Sequence, residues 1–373
     1  MAGVFWLSGD PIRDRNAPAD WAARFLCTGA VSPPAFHSRT RVTETRSDDL
    51  NPGAVDSIAP VRLRDAPAHE LSRGRLRGLS WQRLSQGLYG PVGLADGPPL
   101  TAALSLVLPR DSGFGHLTAA RHRGWSLPNR LGPHISFAST TSRVHVQRQG
   151  MYVRRSDYAA FEDVGGVAVT TPAQTLVELA RDLSLIDLVA MTDCALGAGA
   201  DPEEILAAAR PRVVGAPRLR QAVRLADPRS ESWWETMLRL EHVLTGLGPV
   251  DSQVELWDDE GFVARADLHL VGTRRYPECD GGTHREAQRH QADLARDKRL
   301  SRLTLERYGY STHEIAHQPG MIIRDAECAR GLTHDPARER VWWGFARGST
   351  LTAYGRARLA ARLERYRLAA NRS

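Results

Sequence analysis

The chain has 373 residues, 42% of them hydrophobic and 25% charged, which is length enough for two or three domains with cores of their own. Its net charge of +6 and pI near 9.4 rest almost wholly on arginine, because Lys298 is the only lysine; arginine favours bidentate phosphate contacts, although genome base composition can impose the same bias. No apolar run is long enough to span a bilayer and no signal-like start is present, while four dispersed cysteines without a CxxC pair exclude a disulfide framework and a structural zinc site, so a reducing cytoplasm is the expected compartment.

Residues 1–56 mix Pro, Ser, Arg and Asp with little periodicity and predict a disordered extension. From Ile58 to Val92 short helical pieces lead to Trp81-Gln-Arg-Leu84 and Gly87-Leu-Tyr-Gly-Pro91, the close of a winged-helix-like unit. Leu100 to Leu108 and the segment from His116 read as helices; His134–Ala138, Val144–Gln147 and Val167–Thr170 read as strands by alternation. Thr171-Pro172 opens a helix running to Leu183, followed by helices over Ile186–Leu196 and Pro202–Ala209.

After the Asp227-to-Ser232 linker, Trp233 to Thr245 predicts a helix, and Val254–Trp257 a strand. Val263–Val271 and Tyr276–Gly281 predict two strands joined at Gly272-Thr-Arg-Arg275. A long charged helix is expected over Arg285–Arg307, a strand over Tyr310–Ile315, and a basic Ala/Leu-rich helix from Leu351 to Ala370, read as a solvated face able to touch phosphates.

Carboxylates concentrate in this last third. Glu278 and Asp280, two apart on a strand, share one face while Cys279 points to the other, and a hairpin would bring Asp267 near that face. Carboxylates sharing a cleft repel one another and raise each other's pKa unless a hard cation such as Mg2+ neutralises them. The ordinary alternative is a solvated hairpin with surface acids, and for Glu235 a helix-start charge.

Ser230-Glu-Ser232 with Glu235, Arg265-Ala-Asp267, Glu278-Cys-Asp280-Gly281, His284 and Asp293-Leu-Ala-Arg296-Asp297 together resemble the domain family related to very-short-patch repair endonucleases, in the PD-(D/E)xK superfamily, over roughly residues 227 to 318. Upstream, Gly87-Leu-Tyr89, His116-Leu-Thr-Ala-Ala120, Thr171-Pro-Ala173 and Thr192-Asp-Cys-Ala-Leu196 resemble actinobacterial AbiEi-type antitoxin proteins.

The resemblance implies an α+β protein: a winged-helix-like front within a region 57–226 whose middle is helix-rich α/β, a restriction-endonuclease-like mixed sheet flanked by helices over 227–320, and a basic helical tail over 321–373. It implies Glu235, Asp267, Glu278, Asp280 and His284 as catalytic, with Asp267, Glu278 and Asp280 binding Mg2+ or Mn2+. Arg265, Arg296 and Lys298 are the expected nucleic-acid contacts. DNA is the implied partner, a cognate toxin protein a further one, and no membrane is expected. Where the superfamily carries a lysine two residues after Glu278, this chain has Asp280, and an anion cannot stabilise a pentacoordinate phosphate as a cation does. The expected activity is therefore Mg2+-dependent phosphodiester hydrolysis, and the alternative is a non-catalytic DNA-binding regulator on a degenerate nuclease fold.

His313-Glu314-Ile-Ala-His317 fits the H-E-x-x-H pattern of zinc proteases. Its expected setting is a strand, with Pro319-Gly320 ending any helix and Ile323 at the place of a third ligand, which together argue against zinc.

Overall fold

The computed structural model describes residues 59–94, 97–127, 136–143, 148, 150–280, 299 and 305–371. The predicted extension over 1–56, the strand Val144–Gln147, most of the helix Arg285–Arg307, and His284, Arg296 and Lys298 lie outside them. The architecture is α+β with several small sheets, and among the described residues no helix is long and apolar enough to cross a membrane.

Strands β1 (Val61–Arg62), β2 (Trp81–Ser85) and β3 (Leu88–Pro91) form an antiparallel sheet in the order β1-β3-β2. The β2–β3 connection needs a left-handed residue, supplied by Gly87 at φ 72°. Two short 3-10 turns drop Ala66 and Leu76 onto Val61 to close a small apolar cluster.

After α1 (Pro98–Ser105) comes a five-stranded mixed sheet of β4 (Ser112–Phe114), β5 (Ser136–Thr140), β6 (Met151–Arg155), β7 (Phe161–Val164) and β8 (Val167–Thr170), ordered β6-β5-β4-β8-β7. Between β4 and α2 (His116–His122), Gly115 lies so close to α3 (Pro172–Leu179) that a Cβ would sit 2.2 Å from the Glu178 carboxylate. The prolines at 98 and 172 occupy first-turn positions, where a missing N–H costs nothing. Helices α4 (Leu185–Gly197), α5 (Pro202–Ala208) and α6 (Ala216–Leu225) follow, and α6 has no counterpart among the predicted elements.

Helix α7 (Trp233–Leu244) leads into a hairpin of β9 (Val250–Asp258) and β10 (Gly261–Leu270). Strand β11 (Arg275–Asp280) pairs in parallel with β12 (Glu306–Ser311), so the chain between them must cross over, and Arg299, helical, lies in that crossover. Beyond β12 the structure departs from expectation. Of the segment Tyr310–Ile315 read as a strand, Tyr310 and Ser311 end β12, but Thr312 onward is helix α8 (Thr312–His317), started by a capping box in which Ser311 and Glu314 exchange hydrogen bonds. Helix α8 stops at His317, just before Pro319 as expected, but Pro319 also opens a new helix, α9 (Pro319–Ala329), as Pro336 opens α10 (Pro336–Ala346).

The C-terminal helix α11 (Ala353–Asn371) is not a fully solvated element. Leu359, Leu363 and Ala370 are buried in the main core, and Arg362 and Tyr366 reach Asp182 just after α3. Asp182 also accepts from His116 Nε2 at 2.9 Å. Burial alone would raise its carboxyl; the His116 hydrogen bond and charge and the Arg362 guanidinium outweigh that and hold it at about 2.

One hydrophobic cluster runs from Leu117 through α4, α7 and α9 to Ala370, so a shared core crosses both 226/227 and 320/321. Within it Asp193 of α4 accepts from Arg239 Nη2 (2.8 Å) and Thr236 Oγ1 (2.7 Å) of α7, both buried, and from the half-buried Asp227 N–H (2.8 Å). Arg239→Met would leave the buried carboxylate without its cation. The expected loss in unfolding free energy is about 3–5 kcal/mol, read by urea denaturation; an unchanged midpoint would contradict the clamp.

Candidate functional site

Asp267 sits in the interior of β10, where burial alternates along the strand: Ala266 and Leu268 point into apolar core and Asp267 is half-buried on the other side. β10 and β11 form no ladder with each other; β10 pairs with β9 and β11 with β12. Across the gap the Asp267 carboxylate itself accepts the Cys279 N–H at 2.8 Å, doing for β11 what a strand carbonyl would do. The expected hairpin ladder is thus absent among the described residues, yet the two strands are neighbours, and His269 stacks on Tyr276 beside the bond with ring centroids 4.5 Å apart.

Burial pushes the Asp267 carboxyl up to about 6, helped by the negative charges of Glu235, Glu278 and Glu231 and opposed by the Cys279 N–H. The Cys279 thiol is likewise pushed up to about 12 by burial and then by Asp267, Glu235 and Asp280, so it is no nucleophile. Its side chain packs towards the main core, opposite Glu278 and Asp280, as strand alternation requires.

Two of the four acids carry a cation. Glu278 is paired with Arg307 of β12, through Nε at 2.8 Å and a second contact through Nη2. Glu231 is paired with Arg265 at 2.8 Å. Among the described residues neither Asp267 nor Glu235 has a cationic partner. Glu235 occupies the third position of α7, where its N–H is capped by Ser232 and its carboxylate accepts the Glu231 N–H at 2.9 Å, the role of a helix-start charge. It accepts in addition from the Gln253 side-chain amide at 2.8 Å. Gln253 lies between Ser252 and Val254, which pair with the two neighbours of Asp267, and it holds a left-handed φ of 54°. A glutamine in that region is strained, and here the strain turns its amide onto Glu235.

Asp280 is exposed and its carboxylate lies over Gly309 of β12, where a Cβ would come within 2.1 Å of Oδ2. It acts on Cys279 but is not among the charges acting on Asp267. Glu231, named in the sequence only within Ser230-Glu-Ser232, takes that place, and Arg307 and Gln253 belong to the site without having been singled out in the sequence. Among the described residues no three His, Cys, Asp or Glu side chains stand close enough to hold a metal ion as they are oriented. The donors nevertheless suit a hard cation: oxygen-only ligands, with more negative charge than the two arginines offset.

The H-E-x-x-H segment is helical, contrary to the expected strand, and its two imidazoles are 4.8 Å apart between centroids. Glu314, however, is held by the Ser311 N–H (2.8 Å) and hydroxyl (2.7 Å), and Ile323 is buried in the core. Neither the general base nor the third ligand of a zinc protease is supplied.

Because the folded pKa of Asp267 is raised, its contribution to stability is intact below about 4 and is lost as the pH rises through about 6. Asp267→Asn keeps an acceptor for the Cys279 N–H and removes the charge. The variant should therefore be more stable than the wild type at pH 8, by about 1–2 kcal/mol once solvent screening is allowed for, and equal to it near pH 4. Urea denaturation across that range checks this; an advantage confined to acid pH would reverse the assignment. No family model, curated protein or solved structure matches this chain.

Proposed function

We propose that the chain is a metal-dependent DNA endonuclease of the PD-(D/E)xK kind, with the β9–β10 hairpin, the neighbouring β11–β12 pair and α7 standing where that fold has its central sheet and flanking helix. The observation carrying this reading is the uncompensated charge of Asp267 beside Glu235, opposite a strained Gln253. Ordinary surface acids are neither lifted to about 6 nor served by a left-handed glutamine.

Asp267, Glu235 and Glu278 are the residues that would hold Mg2+ or Mn2+. Such an ion, when bound, polarises a phosphoryl oxygen and lowers the pKa of its water. The Cys279 N–H orients one oxygen of Asp267, and Gln253 fixes Glu235. Arg307, in contact with Glu278, offers the positive charge that Asp280 cannot, from the neighbouring strand instead of two residues downstream. Arg265, about half exposed, is available to a phosphate at the cost of its Glu231 pair.

A second reading is a DNA-binding regulator with a winged-helix-like front, acting with a cognate toxin protein. One observation favours it: a groove of about 720 Å3 beside the Gln86-Gly87 turn is lined by Arg62, Arg64, Arg73, Arg110 and Arg148, of which Arg62 and Arg64 pair with Asp65 just outside it, and among the described residues no acid is in the lining. Such a surface suits a phosphate backbone.

Incubation of the purified protein with plasmid, mismatched duplex and single-stranded DNA, in Mg2+, Mn2+ or EDTA, separates the two. The endonuclease reading expects metal-dependent cutting that falls to background in Asp267→Ala and is strongly reduced in Arg307→Gln. Absence of cutting, with DNA binding retained in EDTA, would overturn it in favour of the regulator.

A further inference from the structure

A second arginine-rich cavity, of about 470 Å3, opens on the other side of the five-stranded sheet's helices, between the end of β6, helix α3 and the loop from α5 to α6. Arg154, Arg155, Arg181, Arg210 and Arg212 line it, against Glu178 and Glu204. Glu178 is turned inward and used up, accepting from the His116 N–H (2.8 Å), the Ser139 hydroxyl (2.5 Å) and the Gln174 amide (3.1 Å). Glu204 lies on the exposed first turn of α5.

The arginines are not consumed in the same way. Arg155 is paired with Asp157, and Arg154 lies over the rings of Tyr152 and Tyr366. Among the described residues no carboxylate pairs with Arg181, Arg210 or Arg212. Arg181 Nε is buried and has no hydrogen-bond partner among the described residues, which is costly for a guanidinium donor. Arg210 is stacked 4.1 Å above the exposed Tyr158 ring, which stiffens it without neutralising it. Arg212, exposed on the loop between α5 and α6, lines the cavity and holds a left-handed φ of 68°.

We propose that this cavity binds a nucleotide, with the phosphate held by Arg181 and Arg212. Unpaired guanidinium groups select a phosphate by bidentate hydrogen bonding. Inorganic phosphate would leave most of the space empty, whereas Val177, Val213 and Tyr158 offer an apolar wall for a base or sugar. The nucleotide is either free or the end residue of a nucleic-acid strand; both present the same phosphate and ring. The site is separate from Asp267 and does not depend on metal-dependent cleavage.

Calorimetric titration of the full chain with dAMP, deoxyadenosine, inorganic phosphate and a 5′-phosphorylated tetranucleotide tests it. Saturable binding of dAMP is expected, with weaker binding of phosphate and none of deoxyadenosine. Arg181→Gln and Arg212→Gln should each weaken dAMP about tenfold. Glu204→Gln, on an exposed turn, should tighten it severalfold, an effect that misfolding cannot produce. A tetranucleotide that binds more tightly than dAMP, with the same response to Arg181→Gln, identifies a strand end as the source; equal or weaker binding identifies a free nucleotide. Failure of both nucleotide probes to saturate, or binding indifferent to Arg181→Gln and Glu204→Gln, would overturn the proposal.

Discussion

The buried pairing of Asp193 with Arg239 and Thr236 sets where α7 lies, and α7 sets almost everything else in the C-terminal half. The helix buries Trp233, Met237, Leu238 and Leu240 in the main core, and its first turn delivers Glu235 to the edge of β9. Removing two charges from water is expensive, so a pair of this kind holds only with its other hydrogen bonds in place. Here the Asp227 N–H, the Ser230 hydroxyl and the Leu225 carbonyl complete it, which makes the segment leading into α7 part of the clamp. A parallel device, Asp182 with His116, Arg362 and Tyr366, ties α11 to the five-stranded sheet's helices. Buried carboxylates thus act as the pins between elements far apart in sequence.

Asp267 is a different kind of carboxylate. It too accepts a backbone N–H, but among the described residues no cation answers it, and its neighbours add negative charge instead of removing it. Among the described residues one acid is lifted to about 6 while two arginines are spent on the acids beside it, a balance that is electrostatically incomplete without a positive partner. That incompleteness is the physical basis for proposing a cation, and it does not depend on a lysine at the position of Asp280. Glu278 completes the set only by exchanging Arg307 for the ion, so metal binding and release of that guanidinium would be coupled.

Much of the local structure was legible because it rests on short-range signals. Thr171-Pro172 opens α3, and alternation around Asp267 and Glu278 marks β10 and β11. Helices α6, α9 and α10 escaped because each starts at or next to a proline that also reads as a break, and α8 because apolar Ile315 sits in a run that alternates. The Ser311-to-Glu314 spacing was the signal that α8 did carry. In the site, residue type and spacing brought forward Asp267, Glu235 and Glu278, but not their partners. Arg307 meets Glu278 through a parallel pairing across the crossover, and Gln253 contributes through a backbone angle; neither is a local property of sequence. The docking of α11 was hidden for the same reason, since its anchor Asp182 lies in another region of the chain.

The most direct test of the central claim, that Asp267 anchors a cation site, is Mn2+ binding followed by electron paramagnetic resonance on the wild type and on Asp267→Asn, both without DNA. The account predicts saturable binding by the wild type, proton release on binding near pH 6 as the Asp267 carboxyl ionises, and loss of both in the variant. Equal Mn2+ binding by the two proteins, or none by the wild type, would contradict it.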